Sequence, residues 1–220
     1  MLRDLFDTSR ILELLIRIPC ILIALTVHEA AHGYAAAKMG DKTAAMTGRV
    51  SLNPLRHLDP IGTLCMLFFG VGWAKPVPIM THNFKDRKKG MALTALAGPV
   101  SNLLLGFIGV FLYYLFYALA PNTMNANFVY AISLLLATFA TLNVSLAVFN
   151  MIPIPPLDGS RVLFVFLPAK YYFGIMKYER YIMIGFMLLL WTDILTVPIS
   201  GAVSAIINAM TYVVCLIPGL

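Results

Sequence analysis

The sequence predicts an all-α integral membrane helical bundle of about five to six transmembrane helices. A small β-strand or re-entrant element is expected near the cytoplasmic side. Three observations predict this. Of 220 residues, 60% are hydrophobic and only 12% are charged, against roughly 25% in soluble domains. Mean hydropathy is +0.84. The charges are also segregated: Glu29 is the only ionised residue between Arg17 and Lys38, Asp158 the only one between Lys89 and Arg161, and Asp193 the only one after Arg180. Apolar stretches of this length are read as membrane spans. A soluble globule, a disordered chain and a disulfide scaffold are excluded.

Each element follows in order. An apolar run from Ile11 to Lys38 predicts the first helix, stopped by Gly40-Asp41. Gly48-Arg-Val-Ser-Leu52 and Trp73-Ala-Lys-Pro-Val-Pro-Ile79 read as short β segments, the second confined to an edge by its prolines. Between them Ile61–Gly72 is apolar but too short to span, which suits a re-entrant or interfacial segment. Met91–Ala120 and Phe128–Met151 read as two full helices joined by an external turn. Prolines at 153, 155 and 156 end the latter. Tyr181–Leu220 reads as a helical hairpin turning near Asp193 and Pro198. The whole, residues 1–220, is expected to form one membrane-embedded domain, with a core over 11–168 and the hairpin over 181–220.

The net charge of +6 is informative by location. Nine of sixteen Lys and Arg lie between Lys38 and Lys89, four lie between Arg161 and Arg180, and Pro121–Asn127 has none. The positive-inside rule makes the first two segments cytoplasmic and the third external. No basic run is interleaved with aromatic residues on a soluble face, so no nucleic-acid partner is expected. The partner implied by composition is the lipid bilayer. Cys20, Cys65 and Cys215 are isolated, and each reads as a small buried residue.

His28-Glu29-Ala30-Ala31-His32 is an HExxH motif, which chance would supply in about one chain in a thousand of this composition. Residues i and i+4 share a helix face, so both imidazoles can reach one metal ion. Glu29 is turned from that pair by one residue. Its carboxylate then stands beside the ion, where it can take a proton from a water that zinc has acidified. His32 and His28 lie six and ten residues before Lys38, roughly 9–15 Å below the surface at 1.5 Å per residue. Three polar groups at that depth are too deep to snorkel easily.

A third ligand is sought among His57, His82, Asp41, Asp59, Asp86, Asp158 and Asp193. Asp158 stands out because it follows Asn150-Met-Ile-Pro-Ile-Pro-Pro-Leu-Asp-Gly159. Three prolines there break the helix at membrane depth, which is tolerated only where the backbone lines an enclosed cavity. His57 reads as a loop-fixing residue, His82 as solvated, and Arg161 as either a support for Asp158 or an interface anchor.

HExxH on an apolar helix, Asn-x-x-Pro-x-Pro-x-Leu-Asp-Gly on a later one, and Ala97-Gly-Pro-Val-Ser-Asn102 between them resemble the site-2 protease family of intramembrane zinc metalloproteases. Gly48–Gly62 resembles its compact prokaryotic branch, without PDZ or CBS domains. The resemblance covers about Thr26 to Leu163. It implies that His28, His32 and Asp158 bind one Zn2+ per chain and that Glu29 is the catalytic base. It also implies that Asn150, eight residues before Asp158, contacts the substrate or its oxyanion, with Asn102 a second polar contact in the cavity. The expected activity is hydrolysis of peptide bonds within or near a transmembrane segment of another membrane protein, which is the expected partner. The expected location is the plasma or inner membrane, multi-pass, with the site near the cytoplasmic face. Two rivals are a membrane metal carrier using the same ligands and an inactive relative kept as a binding protein. The carrier gives no reason for an acidic residue directly after the first histidine.

Overall fold

The computed structural model describes residues 8–59, 61–62, 75–121, 123–168, 171, 174–175, 177–190 and 192–219. Helix α1 runs Thr8–Met39. It stops because Gly40 takes φ +117°, in the left-handed region glycine tolerates. The N–H of Asp41 then reaches Ala36 O at 2.9 Å and that of Gly40 reaches Ala37 O at 3.2 Å, closing a Schellman motif. A single turn, α2 (Thr43–Met46), follows.

Helix α3 (Arg87–Leu119) begins at Asp86, whose side chain accepts from the N–H groups of Lys88 and Lys89. Helix α4 (Ala126–Asn150) begins at Asn125, which accepts from the N–H groups of Asn127 and Phe128. Then come α5 (Asp158–Phe164), α6 (Glu179–Leu190) and α7 (Asp193–Cys215). Among the described residues, four helices are long and apolar enough to cross a bilayer, Leu12–Met39, Arg87–Leu119, Ala126–Asn150 and Ile194–Cys215. The chain is a mostly helical, multi-pass membrane protein. Its exposed apolar side chains, such as Leu15, Leu104, Ile194 and Val197, belong against lipid rather than water.

The core is built by α1, α3 and α4. Gly106 and Gly109 of α3 lie against Val144 and Ala140 of α4, where a Cβ would come within 2.7–3.0 Å. Small residues at such spacing let helix backbones close up in a medium that gives no hydrophobic drive. Val110, Ala140 and Val214 form a buried cluster that brings in the end of α7.

Several expectations are revised. Among the described residues there is no strand, and the acceptors explain why. Pro76 and Pro78 have no N–H to give. The N–H of Val77 goes instead to Glu29 Oε2 at 3.1 Å, and that of Met80 to Asp41 Oδ2 at 2.6 Å. Two carboxylates therefore stand where a ladder partner would. In 48–52, Gly48 O is taken by the Arg56 guanidinium at 2.6 Å and Ser51 O by His57 Nε2 at 2.8 Å. Residues 63–72 of the re-entrant segment lie outside the described residues. The C-terminal turn falls beside Asp193 as expected, with Thr192 capping α7, but Pro198 sits inside α7 rather than at a turn. Helix α6 has 12 residues, fewer than a span needs. Cys215 is exposed, whereas Cys20 is buried.

Candidate metal centre

Two elements converge on one point. Helix α1 contributes His28 and His32, which share a face at i and i+4. Helix α5 contributes Asp158 in its first turn. All three are at least nine-tenths buried, at 4%, 6% and 8% exposure. His28 Nε2, His32 Nε2 and Asp158 Oδ2 form a triangle with sides of 3.0, 3.1 and 3.2 Å.

The protons of this triangle are fixed from outside. His32 Nδ1 is 2.7 Å from Thr94 O, a carbonyl that can only accept, so Nδ1 is the protonated nitrogen. His28 Nδ1 donates to Asn102 Oδ1 at 2.5 Å. The orientation of that amide is set in turn: Asn102 Nδ2 donates to Ala24 O at 3.2 Å and to Asn143 Oδ1 at 2.9 Å. With both Nδ1 atoms donating outward, two bare imidazole nitrogens and a carboxylate oxygen face one another. Unpaired, such a set is repulsive; a divalent cation resolves it. Three ligands of a tetrahedral zinc with bonds of about 2.0–2.1 Å stand roughly 3.3 Å apart. The donor set and its spacing fit zinc.

Close packing holds the triangle in shape. A Cβ on Gly98 of α3 would lie 2.5 Å from His32 Nε2 and 2.6 Å from His28 Cε1, so only glycine lets α3 lie against both rings. One residue on, Pro99 has no N–H to give to Ala95 O, loosening the helix beside the carbonyl that Thr94 gives to His32. Gly159 plays a similar part for Asp158. Its Cβ would lie 2.8 Å from Ile152 O and closer still to Met151, so the start of α5 packs directly on the chain leaving α4.

Glu29 is half-buried and does not join the triangle. One of its oxygens accepts from the Val77 N–H. Asn102 is wholly buried and accepts from His28 Nδ1. Asn150 is half-buried, and its amide donates to Leu146 O at 2.9 Å on its own helix. Asn143, fully buried, has no counterpart in the sequence reading. Its signal was there: an amide in an apolar span, seven residues before Asn150 and so on its face.

Asp41, His57 and His82 stand apart from the triangle. Asp41, fully buried, accepts from the Thr43 N–H and hydroxyl, the Met80 N–H and Asn83 Nδ2. Burial pushes its carboxyl up, but these hydrogen bonds outweigh it and hold the pKa at about 2. His57 pins the 51–57 loop, and His82 is exposed. No ion pair joins Arg161 to Asp158 among the described residues.

The family model described as "Peptidase family M50" matches residues 120–192. YwhC of Bacillus subtilis (strain 168), which carries the name of a candidate zinc metalloprotease, is 40% identical over 174 residues, 79% of each chain. Rip2 of Mycolicibacterium smegmatis, so named too, is 32% identical over 148 residues, 64% of this chain and 53% of that one. Rip2 of Mycobacterium tuberculosis is 29% identical over the same shares. The chain thus spans about half the length of the mycobacterial relatives. No solved structure matches it.

Proposed function

Because the chain belongs to peptidase family M50, the site-2 proteases, we propose that it is an intramembrane zinc metalloprotease in which His28, His32 and Asp158 hold one Zn2+ and Glu29 is the catalytic base. One observation carries the assignment: three metal-donor atoms 3.0–3.2 Å apart, with the ring protons of both histidines spoken for elsewhere.

When bound, zinc supplies the Lewis acidity that polarises a peptide carbonyl and acidifies water. The rest of the chemistry belongs to the chain. Asn102 and the Thr94 carbonyl fix the tautomers of the two histidines, so each turns a lone pair inward. Glu29, held by the Val77 N–H through one oxygen, has the other to take a proton from the attacking water. It then returns that proton to the leaving amine. Asn150 is assigned to contact the substrate through the second proton of its Nδ2, the first being given to Leu146 O.

A substrate helix hides its carbonyls in i→i−4 bonds and must be unwound before attack. The extended chain over 75–80 would receive such a stretch. Its N–H groups at 77 and 80 are taken by Glu29 and Asp41, so pairing would use carbonyls. We assign the substrate to the class of transmembrane proteins and the site to the cytoplasmic half of the plasma or inner membrane, where the basic residues from Lys38 to Lys89 lie. Residues 1–220 would act as a single membrane-embedded unit.

Purified chain in detergent, given a single-span substrate, should cleave it. Glu29→Gln should retain about one zinc per chain and lose cleavage by at least about a hundredfold. Equal cleavage by wild type and Glu29→Gln would overturn the assignment.

A further inference from the structure

Asn143 of α4 is fully buried, and an amide out of reach of water has to be paired there. Both of its ends are. Nδ2 donates to Phe139 O, one turn back on the same helix, at 2.9 Å. A carbonyl only accepts, so this bond decides which way the amide faces. Oδ1 is thereby turned to α3, where it accepts from Asn102 Nδ2 at 2.9 Å.

The second proton of Asn102 Nδ2 goes to Ala24 O at 3.2 Å, a carbonyl that α1 also uses in its own ladder. With both amide protons committed, Asn102 Oδ1 is left to accept from His28 Nδ1 at 2.5 Å. A reversed Asn102 amide would set its oxygen against two others, Asn143 Oδ1 and Ala24 O. It would also offer His28 Nδ1 a donor, which moves the ring proton round to Nε2 and removes the lone pair that a metal ion needs. Of the two oxygens that oppose this reversal, Asn143 Oδ1 makes the shorter bond. One relay therefore crosses three spans, from Phe139 O on α4 through Asn102 on α3 to His28 on α1.

We propose that Asn143 is a positioning residue of the metal centre, acting through Asn102 to keep the His28 ring proton on Nδ1 and the Nε2 lone pair turned inward. The proposal rests on the reading of His28, His32 and Asp158 as zinc ligands given above. Groups that hold the far nitrogen of a ligand histidine change metal affinity by about 10–100-fold, and a residue one link further back belongs at the low end of that range.

The test uses the purified full chain in detergent. Zinc affinity is read by competition with a chelator, and the ring N–H protons of the zinc-loaded chain, labelled with 15N-histidine, are read by NMR. Asn143→Leu removes both polar ends and keeps most of the volume; Asn143→Ala serves where leucine does not fit. Each should weaken zinc binding about tenfold. In an Asn102→Ala background the same change should cost less than about twofold more, because the relay is already cut. The His28 Nδ1 proton, identified as the one that moves in Asn102→Ala, should exchange with solvent about tenfold faster in either Asn143 variant, while that of His32, held by Thr94 O, stays within about twofold. Val144→Ala is the packing control: equally buried and one residue on, it lies outside the relay and should leave affinity and both ring protons within about twofold. Affinity within about twofold of wild type in the Asn143 variants, an equal loss with and without Asn102, an equal loss in Val144→Ala, or ring protons of both histidines disturbed alike would overturn the positioning role and leave the metal centre standing. A wild type that holds no zinc would bring down the metal reading, and this inference with it.

Discussion

Helices α1 and α7 are both apolar, both long enough to span, and built from similar residues, yet they are fixed in place by different means. Within their most apolar windows, 33% of α1 is buried in the protein and 6% of α7 is. Helix α1 presents His28, Glu29 and His32 to its neighbours, and each of these polar groups has a named partner on another element. Helix α7 is exposed along most of its length and meets the core at Val203 and near its end, where Val214 joins Val110 and Ala140. Lipid gives no reason for one apolar face to be preferred over another, whereas a buried amide or imidazole must be paired. Polar residues, few as they are, specify the arrangement of this bundle.

Breaking the polar half should have the largest effect. Asp158→Ala removes a ligand and leaves two lone pairs facing each other. Bound zinc should fall from about one to under about 0.1 per chain, with cleavage lost, measured by metal analysis and substrate assay on one preparation. Asn102→Ala should come next. It frees the His28 ring to turn and strands the Asn143 amide, so zinc affinity should weaken about 10–100-fold, as read by competition with a chelator.

The carboxylate that pins the 80–83 turn sharpens the comparison through pH. Asp41 titrates at about 2 in the folded protein against 3.8 ordinarily, so its hydrogen bonds add stability above pH 4 that is lost as pH falls towards 2. Hydrogen exchange at Met80 and Asn83 should therefore rise over that range in wild type. Asp41→Asn should show faster exchange already at neutral pH and a flatter profile. The smallest effect belongs to the lipid face: Ile194→Ala and Val197→Ala should each leave zinc content and cleavage within about twofold. A tenfold loss from either would mean that α7 is positioned by more than its end.

The same contrast explains what the sequence made legible. Long helices could be read from apolar runs, although their caps, Asp86 and Asn125, lie a few residues before the expected starts at Met91 and Phe128. His28 and His32 were legible as a pair because four residues on a helix is one face. Asp158 stood out as a solitary charge. The partners of these groups were not legible. Asn102 lies 74 residues from His28, Thr94 lies 62 from His32, and Val77 lies 48 from Glu29. The strands expected over 48–52 and 73–79 do not form among the described residues because side chains, near in sequence at 48–52 and distant at 75–80, take backbone groups a ladder would need. Gly98 was visible as a glycine, but its role as the flat surface behind two rings appears only once α1 and α3 are packed.

Helix α1 also divides the proposed site. The two imidazoles, Glu29 as the proposed base and, through its N–H, Val77 travel with α1, while Asp158, Asn102 and the Thr94 carbonyl ride on other elements. A bound ion would rivet the seam between these halves, and much of its binding free energy would go into fastening one helix to the rest. Stripping it would let that seam slip first, leaving Glu29 and Val77 still in register with each other while Asp158 drifts away.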